Sequence, residues 1–466
     1  MALKDIIGKT ENIVTFKNSR RYSIIHVLNG TRTHGYGYHS VHGTRTMSTS
    51  SGANGNDDSL WTKFVFTFPY ISFAETPRGF ITTQVKDPVM VTVSVPGIGY
   101  FHSTNVTQNQ SATIDLPVEA GITDSYSVKE TNKTVIVVAT DNIVIHGYYV
   151  GDLSLDGWFI LPTTSLGTDY ITAGYNTLFY SNYSEFVVTA IEEHTTVYIK
   201  GQIEVSMTLH QYESYQFVSD HANLTDVTGV SINTDKPVSV LSGHQCANIP
   251  VNLDGCDYLM EHLPPLTLLG HHYILAPFLG RTSGFIYRVV SASPGTTNVS
   301  LSGENISLSS GEFYEGDFET SDEVLIIMAD KPVMIVQYAK GFDSDSVGDP
   351  FMVVIPSTEK FSRDVTFPSE TLNDQQQQHY ISIITPECDS ITLFNLDGLP
   401  LNNTNLLQTS DGEFCILRSS VNSGFHSVTH PSASFLVLVY GFGFYQSYGF
   451  VAKYQVHTEG GTGGSE

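Results

Sequence analysis

Long apolar runs are missing from this sequence. No stretch of about 18 apolar residues occurs, so nothing in it reads as a membrane-spanning helix. Basic residues are scarce as well: 22 Lys and Arg stand against 47 Asp and Glu, a formal net charge of -25. That balance argues against nucleic acid and anionic lipid as partners, because both are bound by exchanging counterions for Lys and Arg. It favours cations and basic partners. Cysteine is sparse, limited to Cys246, Cys256, Cys388 and Cys415, and no Cys-x-x-Cys pair offers a thiolate metal knuckle. Charged residues make up only 15% of the chain, against an average of about 25%. Ser, Thr, Asn and Gly fill the gap, a mix that suits a β-rich secreted protein.

Catalytic templates are missing too. There is no Gly-x-Ser-x-Gly elbow, no His-Glu-x-x-His and no P-loop. Gly97-Ile98-Gly99 opens a dinucleotide fingerprint but lacks its third glycine. The first lysines and acids, Lys4, Asp5, Lys9 and Glu11, break up any apolar core of a signal peptide. The tail 457–466 reads as a Gly-rich linker, and the expectation is a mature product or an excerpt of a longer, multidomain chain.

Strand-and-turn writing is abundant. Runs of five to eight Val, Ile, Thr, Tyr and Phe alternate with Gly, Asn, Asp and Pro, as in 91–95, 196–199 and 298–301. A longer period lies above the strands. Asp141-Asn142-Ile143-Val144 returns as Asp235-Lys236-Pro237-Val238 and Asp330-Lys331-Pro332-Val333, with a weaker copy from Pro431, about 95 residues apart. A second phrase, Leu161-Pro162 to Leu166-Gly167 and Tyr170, returns as Leu263-Pro264 to Leu269-Gly270 and Tyr273. Each unit has room for about six short strands, too many for a propeller blade of about 40–50 residues. The expected fold is therefore all-β, with about four tandem β-sandwich-like repeats; the alternative is a β-propeller-like closed arrangement. The expected boundaries are an N-terminal segment 1–60, possible tail of an upstream unit, then repeats 61–150, 151–262, 263–354 and 355–456.

The even cysteine count at short spacing fits local disulfides Cys246–Cys256 and Cys388–Cys415, one of three connectivities. Sequons stand at Asn29, Asn105, Asn109, Asn132, Asn182, Asn223, Asn298, Asn305 and Asn402. Both features point outside the cell.

The stretch Ser242-Gly243-His244-Gln245-Cys246-Ala247 through Cys256-Asp257-Tyr258-Leu259 to Pro264-Pro265 resembles the core motif of the N-terminal domain of IgGFc-binding proteins. The phrases at 161–170 and Asp349-Pro350-Phe351-Met352 fit the same pattern, and the resemblance covers about residues 60–455. It implies a module of secreted mucus, matrix or adhesive proteins. It also implies that Cys246 is paired with Cys256, which consumes the thiol that His244 would otherwise accompany as a nucleophile.

Three constellations remain as candidate chemistry. Asp343, Asp345 and Asp349 offer hard oxygens at alternate spacing, a possible calcium loop against the plainer reading of a solvated acidic turn. His34, His39 and His42 carry the spacing of a zinc or copper site or of incidental loop histidines. Tyr440, Phe442, Phe444, Tyr445 and Tyr448 make either a binding face or a core. The sequence reads as an extracellular binding module, not an enzyme, that presents loops on a β scaffold to extracellular proteins or glycans. The rival is a carbohydrate-active enzyme with two carboxylates in a groove.

Overall fold

The computed structural model describes residues 61–456 apart from 72–75, 131, 152–153, 177–182, 221–224, 254, 370–377, 403 and 444–445, and apart from the Asp343 side chain. The segments 1–60 and 457–466 lie outside the described residues.

Eight of the first nine described strands form one unit, Lys63–Thr67, Thr76–Thr82, Val89–Val95, Tyr100–Val106, Ser111–Asp115, Thr134–Ala139, Val144–Val150 and Leu155–Ile160, while the short Val128–Glu130 pairs with Ser214–Val218 of the next repeat. The eight make two four-stranded antiparallel sheets, one in the order first, sixth, third, fourth and the other fifth, second, seventh, eighth. Alternation decides which side chains face inward. Along Val89–Val95 the four valines are buried while Met90 is exposed, and they join Phe64, Phe66 and Val137 of their own sheet with Ile81, Ile114 and Ile145 of the other. Burying each such side chain contributes roughly 1.5–3 kcal/mol.

The same pairing returns three times. In the second and third repeats the sixth and seventh strands are fused into Ser231–Ala247 and Leu325–Tyr338. The first part of each pairs with strands one and three, the second part with strands two and eight. In the fourth repeat strands three and four shrink to Asn395–Leu396 and Leu399–Pro400, and Asn405–Gln408 is an added edge. Val144, Val240 and Val336 all lie on the seventh strand and pair with the second strand of their repeats. The propeller-like alternative is not realised: several separate sheets are present, two per repeat or joined through a fused strand, and none closes into a barrel or propeller.

The recurring phrases now have physical reasons. Tyr170 Oη accepts from the Gly167 N–H at 2.9 Å and donates to the Val238 carbonyl at 2.6 Å. Tyr273 does the same with Gly270 and Val333 at 2.9 and 2.5 Å. Each tyrosine thus ties the start of a repeat to its seventh strand and satisfies backbone groups that would otherwise be buried unpaired. The phrase's acid accepts a backbone N–H at the third strand: Asp235 from Thr196 at 2.7 Å and Asp330 from Asn298 at 2.8 Å. Its lysine holds the turn before that strand, Lys236 on the Glu193 carbonyl and Lys331 on the Pro294 carbonyl. Glycine follows on the seventh strand because the closing strand crosses it closely. A Cβ on Gly243 would come 1.8 Å from the Leu259 carbonyl oxygen.

The closing strands position everything that follows. Leu155–Ile160 lies between Asp257–His262 and Gln446–Val451, and Met352–Ile355 lies against both of those. The four repeats therefore meet along their last strands, in cyclic order.

Candidate binding surface at the closing hairpins

Each closing strand pairs antiparallel with the seventh strand that precedes it, the two being consecutive in the chain after Val150, Ala247, Tyr338 and Gly443. Because the closing strands pack beside one another, their hairpins gather at one end. Hydrogen bonds link each repeat to the next. The Ser154 hydroxyl donates to the Asp257 carboxylate, and the Gly341 N–H donates to the Ile249 carbonyl at 2.7 Å. The Asp349 N–H donates to Ser447 Oγ at 2.7 Å. The Gln446 side-chain amide returns to the first repeat at the Gly151 carbonyl, also at 2.7 Å.

The second hairpin is stapled. Cys246 and Cys256 form a disulfide with a Cα–Cα separation of 5.1 Å. Inside the loop the Asn248 side chain donates to the Leu253 carbonyl at 2.8 Å, the Leu253 N–H to the Pro250 carbonyl at 3.0 Å, and Pro250 follows a cis peptide bond. Asn252 and Gly255 are exposed at its tip. Gly255 has φ of 82°, and a Cβ there would stand 3.4 Å from Asp349 Oδ1. Glycine suits both the left-handed backbone and the close approach of the third hairpin. Cys388 and Cys415 form the second disulfide, with Cα atoms 5.4 Å apart, at the start of the fifth strand of repeat four.

The third hairpin holds the three aspartates read as a calcium loop. The Asp343 side chain lies outside the described residues. Asp345 accepts from Arg281 Nε at 2.8 Å, from the Thr282 and Ser283 N–H groups at 3.0 and 3.2 Å, and from the Ser283 hydroxyl at 2.9 Å. Burial pushes its pKa up, but Arg281 and these donors outweigh burial and hold it below the usual carboxylate range. Burial raises Asp349 to about 6, against the pull of Arg281. Arg281 in turn lies 5.0 Å over the Phe442 ring of repeat four. All of these donors meet Asp345 Oδ2, while its Oδ1 is buried without a hydrogen-bond partner.

Deeper along the closing strands lie buried carboxylates. Asp156 accepts from the Gly157 and Met260 N–H groups at 2.8 and 2.9 Å, and Glu261 from the Val354 N–H at 3.1 Å. Burial raises both well above ordinary values, with Asp156 also raising Glu261. His262 is buried beside them in repeat two. Its Nδ1 accepts from the Leu161 N–H at 3.1 Å, which leaves Nε2–H to donate to Ser239 Oγ at 3.1 Å. These groups join backbones of different repeats and face no solvent.

The three described members of the aromatic cluster are packing. Tyr440, Phe442 and Tyr448 are buried, with Tyr440 in an edge-on contact with Phe278 of repeat three, while Phe444 and Tyr445 lie outside the described residues. Asn105, Asn109, Asn132, Asn298, Asn305 and Asn402 are exposed; Asn29, Asn182, Asn223 and the histidines 34, 39 and 42 lie outside the described residues. A polar cleft of about 610 Å³ opens in repeat four beside Gln378, His379, Tyr380, Asn405, Arg418 and Asn422. Sequence reading missed Arg288 and Arg418, although Arg288 stands alone among apolar neighbours in Phe285–Ser291, which is itself a signal of a buried, partnered charge, and Arg418 directly follows the apolar Ile416 and Leu417. It also missed Glu193, His194 and His210, which sit close together on the second repeat.

Comparison with known proteins fits this architecture. A family model described as IgGFc binding protein matches residues 156–441, from the first closing strand to the seventh strand of repeat four. The chain is 21% identical to the human IgGFc-binding protein over 363 residues, 74% of this chain but only 6% of that much longer protein. No solved structure matches. With most of its length under that family model, the chain belongs to the IgGFc-binding family.

Proposed function

We propose that this chain is an extracellular binding module of a larger mucus, matrix or adhesive protein, and that it engages a protein partner through the hairpin end of its closing strands. The observation that carries this reading is the hydrogen-bonded cycle of hairpins, stapled by Cys246–Cys256. A loop surface held in one geometry before encounter loses little conformational entropy on binding. The two disulfides and the exposed sequons support an oxidising, secretory compartment. No helix among the described residues is long and apolar enough to cross a membrane.

Two observations favour binding over glycan hydrolysis. The described cleft in repeat four is lined by no carboxylate, and a second, between the third and fourth strands of repeat three, has only Asp330. One neighbouring acid pair, Asp156 and Glu261, is buried and hydrogen-bonded to backbone. A glycosidase needs its pair in an open groove, about 5–10 Å apart.

The namesake relative supplies the first probe. The full chain is passed over immobilised IgG Fc, over unrelated serum proteins and over mucin glycans, and Asn252→Arg is measured alongside. Saturable binding to a protein that Asn252→Arg weakens, with the melting temperature unchanged, supports the reading. Binding to glycans alone, or hydrolysis of them, overturns it.

A further inference from the structure

The turn between the second and third strands of repeat two carries Glu193 and His194, and His210 follows the fourth strand directly. His210 Nδ1 lies 2.6 Å from Glu193 Oε1, His194 Nε2 lies 3.6 Å from the same oxygen, and the two rings are 5.2 Å apart. All three side chains are more than half exposed, at 53%, 70% and 59% for Glu193, His194 and His210. Two imidazoles and one carboxylate converging on one point are the donor set of a zinc site with an open position.

The third repeat provides an internal control. There Lys331 holds the equivalent turn by the Pro294 carbonyl, as Lys236 does by the Glu193 carbonyl. The Ser309 N–H is capped by Glu312 at 2.7 Å, as the His210 N–H is capped by Glu213 at 2.9 Å. The scaffold is thus the same, yet Pro294, Gly295 and Ser309 stand in the places of the three ligands. The fold therefore does not require Glu193, His194 or His210. It even disfavours one of them: the turn puts a left-handed backbone at Gly295, φ 74°, and His194 accepts φ of 54° at the matching place.

We propose that Glu193, His194 and His210 form a surface site for a zinc-class divalent cation, with one coordination position left for water or an incoming ligand. The atoms that would bind already lie within 4.8 Å of one another. Tetrahedral coordination brings such atoms to roughly 3.3 Å apart, a closure that rotation of three exposed side chains supplies. Glu193 is oriented beforehand, because the Gln211 N–H donates to its Oε2 at 2.9 Å. The acidic balance of the chain, -25, adds a field that draws cations. No sequon lies on the fourth strand Glu204–Leu209, whereas Asn105 and Asn305 lie on the corresponding strands of repeats one and three.

The test is calorimetric titration of the metal-stripped full chain with zinc chloride. Two substitutions borrow the third repeat's residues, His194→Gly and His210→Ser, so neither asks the turn for anything its sister lacks. The expected result is a saturable zinc site that each variant weakens by roughly ten-fold or more, with unchanged circular dichroism. A third variant replacing His34, His39 and His42 by Ala retains that site. The proposal is overturned if the unmodified chain takes up no zinc, if both turn variants bind it as well as the parent, or if only the 34/39/42 variant loses it.

Discussion

Arg288 of the third repeat places its guanidinium Nη1 2.8 Å from Asp226 Oδ2 of the second, in a pocket where the arginine side chain is only 3% exposed. The same guanidinium lies 4.5 Å over the rings of Tyr175 and Phe313, and it donates to the Gly174 carbonyl at 3.0 Å and to Thr228 Oγ1 at 2.8 Å. Glu315 takes Nε at 2.8 Å. One side chain thus fastens two repeats. Replacing it by an apolar residue leaves Asp226 half-buried without its cation, the costly way to break an ion pair. Arg288→Met is expected to lose about 3–5 kcal/mol in urea unfolding. Arg288→Met with Asp226→Asn should lose less than the sum of the two single changes, because the pair is coupled. Additive losses would show that the pair contributes no interaction of its own.

Protonation provides a second check, and its sign follows from burial. Burial lowers His146 to about 4 and His262 to about 3. A group whose folded pKa is depressed leaves the native state with fewer bound protons, so the stability it allows is present above its unfolded value and is lost as pH falls. The buried acids Asp156, Glu185 and Glu261 act in the opposite sense, since burial raises them and their cost grows as pH rises above the ordinary carboxylate range. For His262 alone the loss between about pH 6.5 and pH 4 is about 3 kcal/mol. His262→Gln should flatten the acid limb of the stability curve by that order. Equal acid sensitivity in parent and variant would show that His262 is not kept neutral by burial.

Much of this architecture was legible because strands are written locally. The acid–lysine–proline phrase and the leucine–glycine–tyrosine phrase mark hydrogen bonds that the second and third repeats both make, as Tyr170 and Tyr273 show directly. The disulfide partners were legible from spacing and from family resemblance. Contacts between repeats were not. Nothing near Asp226 in the sequence announces Arg288, 62 residues on, and nothing near Asp156 announces Met260. The aromatic cluster at 440–448 stayed open between a binding face and a core for the same reason: its alternation shows two faces, but only packing against Phe278 and Phe351 decides that Tyr440 and Phe442 are buried. The acid loop likewise gave no sign of Arg281, which stands opposite Asp345.

Glycosylation separates the sequons by what their side chains already do. Asn105 and Asn305 lie exposed on edge strands, where a glycan would cover unpaired backbone groups that otherwise invite edge-to-edge association. Asn298 is also exposed but donates to Asp330 at 2.7 Å and accepts from Ser307 at 2.9 Å. Glycopeptide mass spectrometry of protein from a secretory host should find high occupancy at Asn105 and Asn305 and lower occupancy at Asn298. Asn305→Gln should change stability by no more than about 0.5 kcal/mol, as expected of surface substitutions, while promoting self-association in sedimentation measurements. Unmodified Asn105 and Asn305 would remove the argument for glycan-shielded edges.

The stapled hairpin has two roles that a single pair of variants can separate. As a clamp, Cys246–Cys256 restrains a loop with a sequence separation of 10 and holds Ile249 where Gly341 of the third repeat reaches its carbonyl. Cys246→Ala with Cys256→Ala should then lose about 2–3 kcal/mol, the loop-closure entropy the cross-link removes from the unfolded chain. As a contact surface, the same loop presents Asn252 at its exposed tip, a side chain whose replacement should leave stability within about 0.5 kcal/mol. Measured on one partner, the cysteine variant should weaken binding through a loosened surface and lower the melting temperature together. Asn252→Arg should weaken binding alone. Loss of stability without loss of binding in the first, and no change in the second, would leave the loop as a joint between repeats and move the partner's site elsewhere on the scaffold.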